Sequence, residues 1–226
     1  MMTPSHLSPR TYTAAEWPVP LKPVTLIGAR VRLEPITDDA ELSLLEEVAH
    51  AASDEGVRRY LRSDLRTPDL RRAYIADLVA QWRAGTALPF AVRLIAPGLP
   101  HTERIVGTTR LKGAILADRR FGIGSWYTPA VWGTGVNTEA KHLLLEHAFE
   151  TLKAVRVEFE TDVMNERSRA ALAGLGIAQE GVLRAHRIRR DGTLRDTVLF
   201  AVTAADWPFV REQIAMRLAS ARRLTP

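Results

Sequence analysis

Two glycines lie directly before a long amphipathic segment, in the stretch Trp132-Gly133-Thr134-Gly135. The apolar residues of that segment recur at helical spacing: Ala140, Leu143, Leu144, Ala148 and Leu152. Asn137 or Thr138 is the expected N-cap of this helix, and Glu139 lies near its positive end. A glycine turn that opens a helix leaves backbone N–H groups unpaired, and such groups can bind a phosphate or pyrophosphate. The alternative interpretation is a tight connection between two elements.

Two common nucleotide-binding motifs fit this turn poorly. A dinucleotide-binding fold needs a βαβ unit around its glycine turn and an acidic residue about 20 positions further on. Glu158 and Glu160 lie in that range, but the turn lies past the middle of the chain with no βαβ unit before it. A P-loop needs Gly-Lys-Ser/Thr, whereas Val136 and Asn137 follow the second glycine. Both interpretations therefore lose support.

Other residue types narrow the chemistry further. The chain has no cysteine, which excludes disulfides, a catalytic thiol and cysteine-based metal sites, and which suits a reducing cytoplasm. The six histidines have no metal-ligand spacing, and His142 and His147 are not four residues apart, so we predict no metal. Glu158 and Glu160 lie on the polar face of a predicted strand. Either could act as a base through water, although pairing with Arg156 or another basic group is the simpler interpretation.

The residue pattern predicts an α+β domain built on one largely antiparallel sheet. Strands are expected at residues 25–27, 31–35, 88–95, 104–112, 121–127, 155–161, 177–188 and 193–202. Helices are expected after 37–39, over 55–61, from 67 to 85, after the glycine turn, after Asn165 and from 205 onward. Asp191-Gly192 predicts a hairpin turn between the last two strands. Residues 1–22 are expected to form a tail or extended arm, and residues 23–226 a single domain.

Composition and charge distribution limit the class of protein. With 226 residues, 46% hydrophobic and 25% charged, the chain has ordinary globular composition. Residues 1–20 lack the apolar core of a signal peptide and no segment reaches membrane-spanning length, so we expect a cytoplasmic protein without a membrane partner.

The net charge of +5 hides two segments of opposite sign. In the acidic segment, between Leu33 and Val57, every formally charged side chain is acidic: Glu34, Asp38, Asp39, Glu41, Glu46, Glu47, Asp54 and Glu55. In the basic segment, Arg184, Arg187, Arg189, Arg190 and Arg195 outnumber Asp191. A molecule with one acidic and one basic segment suits an anionic ligand at one end and a cationic ligand at the other. The alternative interpretation is that both segments are solvent-exposed surfaces without a ligand.

Four motifs, taken in their order along the chain, resemble those of a known protein family. They are Trp132-Gly133-Thr134-Gly135, Thr138-Glu139-Ala140, Asn165-Glu166-Arg167-Ser168 and Leu175-Gly176-Ile177-Ala178-Gln179-Glu180-Gly181. From about Leu26 to Trp207 the chain resembles the GCN5-related N-acetyltransferases, in particular the branch of bacterial ribosomal-protein N-terminal acetyltransferases. The resemblance implies acetyl-CoA as donor and a mixed, mostly antiparallel twisted sheet with helices on both faces. It also implies a splay between the strand of Phe121 and the strand of Val155, which admits the pantetheine arm.

The resemblance also implies roles for individual residues. It assigns coenzyme binding to Trp126, Tyr127, Thr128, Trp132, Gly133, Thr134, Gly135, Val136, Asn137, Asn165 and Arg169. Asn165 would bond the pantetheine amides, although a plain N-cap explains it equally well. Ser168 resembles a serine placed near the sulfur and is the candidate general acid, with a role in the first helical turn as the alternative. A backbone N–H of the Trp126-Tyr127 segment would hold the thioester carbonyl if that strand carries the family's bulge, and Glu158 is the candidate base.

Two departures from the family pattern stand out. The phosphate loop usually begins with Gln or Arg and ends with Gly or Ala, and those positions are Trp132 and Asn137 here. The tyrosine that many members place in the helix after the asparagine is absent between Asn165 and Gly176. The proton for the departing thiolate must therefore come from another residue.

The acceptor expected from the resemblance and the charge pattern is the N-terminus of a basic protein or peptide. The acidic segment would border the acceptor side of the cleft and attract a basic partner. The first alternative is a small polycationic amine, such as a polyamine or an aminoglycoside. The second is a noncatalytic nucleic-acid-binding module on the same fold, but the basic segment lacks interleaved aromatic residues, so no nucleic acid is expected. A homodimer through the last strands or the tail is a further expectation.

Overall fold

The computed structural model describes residues 20–222, apart from 55–56, 58–59, 62 and 98–101. The strands are β1 Leu26–Ile27, β2 Val31–Pro35, β3 Leu88–Leu94, β4 Ile105–Ile115, β5 Arg120–Tyr127, β6 Arg156–Asp162, β7 Ala178–Ile188 and β8 Leu194–Thr203. The α-helices are α1 Leu42–Ala51, α2 Pro68–Arg83, α3 Val136–Glu146, α4 Glu166–Ala173 and α5 Trp207–Arg222. A π-helical turn, His147–Thr151, continues α3. Most of the predicted tail and of the predicted helix at 55–61 lies outside the described residues.

The eight strands form one sheet in the order β1-β2-β3-β4-β5-β6-β8-β7. All neighbouring strands are antiparallel except β5 and β6, which run parallel and are joined through α3. The hairpin between β7 and β8 turns at Asp191 and Gly192, where the Gly192 N–H donates to Arg189 O at 3.0 Å. The predicted α+β class and the mixed, mostly antiparallel sheet are confirmed.

Helices cover both faces of the sheet because strand residues alternate between two apolar clusters. One face buries Phe90, Phe121 and Phe159 beneath α3 and α5. The other face packs Ala91 and Trp126 against the apolar residues of α1 and α2. Neighbouring residues of β5, Trp126 and Tyr127, therefore point to opposite sides, and a site near the end of β5 can be reached from both faces of the sheet.

Two helix starts differ from the sequence prediction. The N-cap of α1 is Glu41, which makes no side-chain capping bond, so the predicted cap at residues 37–39 lies one turn too early. The N-cap of α3 is Gly135, and neither Asn137 nor Thr138 caps it. Within the described residues no helix is long and apolar enough to cross a membrane.

Candidate active site

β5 and β6 separate at their carboxyl ends. Their parallel register runs from Arg120 with Arg156 to Ile123 with Phe159 and then stops, although both strands continue. A cleft of about 510 Å³ lies between the unpaired ends, lined by 125–127 on one side and 160–162 on the other. This volume is within the range of about 300–1,000 Å³ that small-molecule sites occupy. The predicted splay is therefore confirmed.

The unpaired end of β5 directs backbone donors into this cleft. The Thr128 N–H donates to Val106 O at 2.8 Å, and the β4–β5 register is regular from Gly107 opposite Tyr127 to Lys112 opposite Gly122. Because hydrogen-bonded and non-hydrogen-bonded pairs alternate in an antiparallel ladder, the N–H groups of Ser125 and Tyr127 point away from β4. They face the position that β6 has left, so they are free to bind a ligand that runs along the cleft.

The bulge expected at Trp126-Tyr127 is absent. The irregularity of the β4–β5 ladder lies at its other end, between Lys112 and Ile115. The regular register already turns the Tyr127 N–H into the cleft, so the donor that the bulge was expected to supply is present without it.

The glycine turn closes one end of the cleft. Gly133 and Gly135 have φ values of 79° and 87°, in the left-handed region that favours glycine. A Cβ placed on Gly133 would meet no atom within 4 Å, so the turn opens to the outside. Thr134 steadies the turn, because its Oγ1 donates to Val131 O at 2.8 Å. The first N–H groups of α3 have no partner within the helix and point out of this turn, as an anion site requires.

Glu139 anchors α3 to the opposite edge of the molecule. Its carboxylate, buried with 4% exposure, accepts the N–H groups of Ala29, Arg30 and Val31 at 3.1, 2.6 and 2.8 Å. Gly28 makes room for this carboxylate, because a Cβ there would lie 2.6 Å from it. The residue that sequence analysis placed near the helix dipole therefore fixes the start of α3 against the β1–β2 turn.

Across the cleft, the first turn of α4 presents Asn165 and Ser168. Asn165 is the N-cap, and its Oδ1 accepts the Ser168 N–H at 3.1 Å. Both residues line the cleft. The N-cap interpretation of Asn165 is thus satisfied, and its amide NH₂ remains as a donor. Asn165 also fixes the position of Ser168, whose hydroxyl is carried on the same turn.

Arg167 lines the cleft and lies on Trp132. The guanidinium carbon is 3.2 Å from the centroid of the indole, which is a close cation–π contact. The indole Nε1 in turn donates to Tyr127 O at 3.0 Å. Trp132 therefore links the end of β5 to α4 and holds a positive charge beside Gly133. The sequence alone does not mark Arg167 as a site residue, because only the fold brings α4 next to the glycine turn.

Lys141 lies at the floor of the cleft, one helical turn beyond Asn137. It is 8% exposed, and its Nζ donates to Asn137 Oδ1 and lies 5.9 Å from the centroid of the Tyr127 ring. Burial lowers the pKa of Lys141 to about 7, and it raises the pKa of Tyr127 to about 12 against the opposing effect of Ser125 and Thr109. Lys141 could have been noticed in the sequence, because it interrupts the buried face formed by Ala140, Leu144 and Leu145.

The carboxylates on the other face of the cleft are paired with cations. Glu160 binds Lys112 at 3.4 Å and Arg187 at 2.6 Å, and Asp162 binds Arg189 at 2.7 Å. Burial alone would raise the pKa of Glu160, but Lys112 and Arg187 outweigh it and leave that pKa lowered. The Asp162 pKa is lowered chiefly by its hydrogen bond with Arg189. Both groups are therefore charged and weakly basic at neutral pH.

Several predicted site residues lie outside the lining of the cleft. Glu158 belongs to the paired part of the ladder and accepts the Arg156 Nε–H at 2.7 Å, in line with the simpler interpretation of that residue. Arg169 donates to Val163 O at 3.1 Å and does not line the cleft. Thr128, Thr134 and Val136 are likewise outside the lining. Of the predicted set, the cleft is lined by Trp126, Tyr127, Trp132, Gly133, Gly135, Asn137, Asn165 and Ser168.

The donors of the cleft fit a ligand that has phosphate at one end and amide groups along its length. The free N–H groups of α3 and the charge of Arg167 lie at one end, and the N–H groups of Ser125 and Tyr127 lie along one wall. In the part of the chain that the structure describes, no group of three or more His, Cys, Asp or Glu side chains could hold a metal ion.

Comparison with known proteins agrees with this geometry. Residues 30–178 match the family described as Acetyltransferase (GNAT) domain. A Bacillus subtilis (strain 168) protein named "Putative ribosomal N-acetyltransferase YdaF" is 28% identical over 140 residues, 62% of this chain and 74% of that protein.

Two solved structures illustrate the likeness in three dimensions. A "putative acetyltransferase" from T. thermophilus is 31% identical with a TM-score of 0.73, over 88% of this chain and 98% of that chain. Mycobacterium smegmatis RimJ in complex with CoA-disulfide shares the fold at 24% identity, with a TM-score of 0.71 over 86% and 95% of the two chains. A family match over more than half of the chain, with the same fold and a cleft suited to the donor, identifies the chain as a member of the GNAT acetyltransferases, which are acetyl-CoA-dependent N-acetyltransferases.

Proposed function

We propose that the protein binds acetyl-CoA in the cleft between β5 and β6 and transfers the acetyl group to the N-terminal amine of a protein. The observation that carries the proposal is the set of free donors in one cleft: the α3 N–H groups at one end and the N–H groups of Ser125 and Tyr127 along the wall. Acetyl-CoA supplies the activated acyl group. The name of the Bacillus subtilis relative, "Putative ribosomal N-acetyltransferase YdaF", supports an acceptor of the ribosomal-protein type.

Each lining residue has a proposed task. The N–H groups after Gly133 and Gly135 would hold the pyrophosphate, and Arg167 would add a positive charge beside it. Asn165 would donate to the pantetheine amides while it caps α4. The Tyr127 N–H would bind the carbonyl oxygen where negative charge develops. Ser168, held in the first turn of α4, would give its proton to the departing sulfur.

The acceptor must present a neutral amine, and the charges of the cleft favour an N-terminus over a lysine. Glu160 and Asp162 are held by cations, so neither is a strong base, and Glu158 lies outside the cleft. An N-terminal amine has a pKa near 7.7 to 8.0 and is about one-quarter neutral at pH 7.4, whereas a lysine amine with a pKa near 10.4 is about 0.1% neutral. An N-terminus therefore needs little help from a base.

The structure gives weaker support for a basic acceptor than the charges of the acidic segment suggest in the sequence. Glu34 binds Arg93 at 2.7 Å, Glu47 binds Arg93 at 3.1 Å, and Asp38 binds Arg83 at 2.7 Å. No acidic residue of this segment lines the cleft among the described residues. The basic segment is likewise neutralised in part, since Arg187, Arg189 and Arg190 pair with acidic side chains. Part of the charge of each segment is therefore offset by ion pairs within the protein.

The test compares acceptors at equal acetyl-CoA concentration. We expect a peptide with a free N-terminus to react with the higher kcat/KM, and the same peptide with a blocked N-terminus and an internal lysine to react at least about 100-fold more slowly, given the difference in neutral amine. Basic and acidic N-terminal peptides, a polyamine and an aminoglycoside complete the panel at low and high salt. A clear preference for a small amine would overturn the protein acceptor, and equal rates for free and blocked peptides would overturn the N-terminal amine.

A further inference from the structure

We propose that Asn137 and Lys141 form part of the donor site in this protein, and that acetyl-CoA binds together with one proton, which Lys141 takes up. The inference rests on the proposed function, because it places acetyl-CoA at the start of α3. It concerns two residues that the glycine turn alone does not explain. Both lie on α3 at i and i+4, and both line the cleft.

The direction of the Lys141 side chain brings its amine to the phosphate end of the site. Side chains on an α-helix point back toward the helix N-terminus. Lys141 accordingly reaches Asn137, in the first turn, where its Nζ meets the amide oxygen. The free N–H groups of α3 belong to that same turn. A phosphate bound there would therefore lie close to the Lys141 amine.

The surroundings of Lys141 suit a neutral amine in the free protein. Its interactions in the described structure are with the neutral Asn137 amide and the Tyr127 ring, and burial lowers its pKa to about 7. The positive end of the α3 dipole disfavours an ammonium there as well.

The charged groups around the cleft all have other partners. Glu139, on α3, turns its carboxylate to the β1–β2 turn. On β6, Glu160 pairs with Lys112 and Arg187, and Asp162 pairs with Arg189 and, at 3.9 Å, with Arg195 of β8. Arg167 of α4 lies on Trp132, and Arg217 of α5 donates to Gly174 O. Tyr127 of β5 is neutral at neutral pH, because burial raises its pKa to about 12. No charge of the protein therefore stabilises the Lys141 ammonium within the described residues, and a bound phosphate would be its first counterion.

Acetyl-CoA binding should be coupled to proton uptake by Lys141. A pyrophosphate beside Lys141 raises the pKa of that amine, so binding takes up a proton whenever the free amine is neutral. Between about pH 7 and the pKa of Lys141 in the complex, acetyl-CoA affinity should fall about tenfold per pH unit. The terminal phosphate of the coenzyme titrates near pH 6, so measurements between about pH 7.5 and 9 avoid it.

Calorimetry with acetyl-CoA across this pH range, in buffers of different ionisation enthalpy, counts the protons. We expect uptake approaching one proton near pH 8 in the wild type and in Lys153→Met, a control at an exposed lysine outside the cleft. Lys141→Met should bind with no linked proton and with a flat pH profile. Lys141→Arg, whose charge is permanent, should bind without proton uptake throughout this pH range.

The outcomes separate the two proposals. Acetyl-CoA binding to the wild type with no proton uptake at pH 8 would overturn the role of Lys141 and leave the donor site standing. Uptake that persists undiminished in Lys141→Arg would overturn it as well. Failure of acetyl-CoA to bind at any pH would instead overturn the proposed function. The proton count in the wild type decides the matter even if Lys141→Met does not fold.

Discussion

Replacing Glu139 by glutamine should destabilise the protein through three backbone contacts at once. The carboxylate accepts N–H groups from Ala29, Arg30 and Val31 at 3.1, 2.6 and 2.8 Å in a buried position. A glutamine offers one acceptor oxygen and a competing NH₂ group, so at least one of the three N–H groups loses its partner and the remaining bonds lose their charge. A bond to a charged group contributes about 1.5–3 kcal/mol, and an unsatisfied buried donor costs about 1–3 kcal/mol. We therefore expect a loss of about 2–4 kcal/mol.

Urea denaturation and a thermal melt measure this loss. For a chain of this size, 1 kcal/mol shifts Tm by about 2–4 °C, so Glu139→Gln should lower Tm by about 5–15 °C. Glu146→Gln is the matched control, because Glu146 is an exposed carboxylate on the same helix and should change the free energy of unfolding by less than about 0.5 kcal/mol. A Glu139→Gln protein as stable as this control would show that the buried carboxylate does not hold α3 to the β1–β2 turn.

Three further predictions concern the site itself. Gly135→Asp should raise the acetyl-CoA Kd, measured by calorimetry, at least about 100-fold. Gly113→Asp is the control: Gly113 is also left-handed and has open space around it, so the variant should carry similar strain and leave Kd unchanged. Equal Kd values for the two variants would show that the turn only connects two elements. Ser168→Ala should lower kcat by about 100-fold or more with acetyl-CoA binding intact, and an unchanged kcat under chemistry-limited conditions would leave Ser168 a structural role only. Arg167→Ala should raise the acetyl-CoA Kd about tenfold and make that Kd less dependent on salt. Arg211→Ala is the control, because Arg211 pairs with Glu150 away from the cleft. Identical salt dependence in the two variants would show that Arg167 does not contact the phosphate.

The sequence predicted a helix or strand boundary well where neighbouring residues alone determine it. Asp191-Gly192 between two alternating segments indicated the β7–β8 hairpin, and Thr67-Pro68 indicated the start of α2, where Thr67 Oγ1 accepts the Leu70 N–H at 3.3 Å. The start of α3 was placed too late, because Asn137 and Thr138 are strong capping residues. The left-handed Gly135 takes the N-cap position instead, and this choice depends on backbone conformation and not on residue type.

The site was harder to predict where distant segments meet. The parallel pairing of β5 with β6 and its early end came from the family resemblance and not from periodicity. Nothing local marks Arg167 as a partner of Trp132, or Glu139 as an acceptor for the β1–β2 turn. The ion pairs that offset part of the acidic segment were hidden for the same reason, since Arg83 and Arg93 lie up to 59 positions away from their acidic partners in the chain.

The most direct test of the central claim is a crystal structure of the protein in complex with acetyl-CoA. We expect the pyrophosphate at the N–H groups that follow Gly133 and Gly135, the pantetheine arm between β5 and β6, and the thioester carbonyl within hydrogen-bond distance of the Tyr127 N–H. A pyrophosphate bound elsewhere on the molecule, or an acyl group outside the cleft between β5 and β6, would contradict the account.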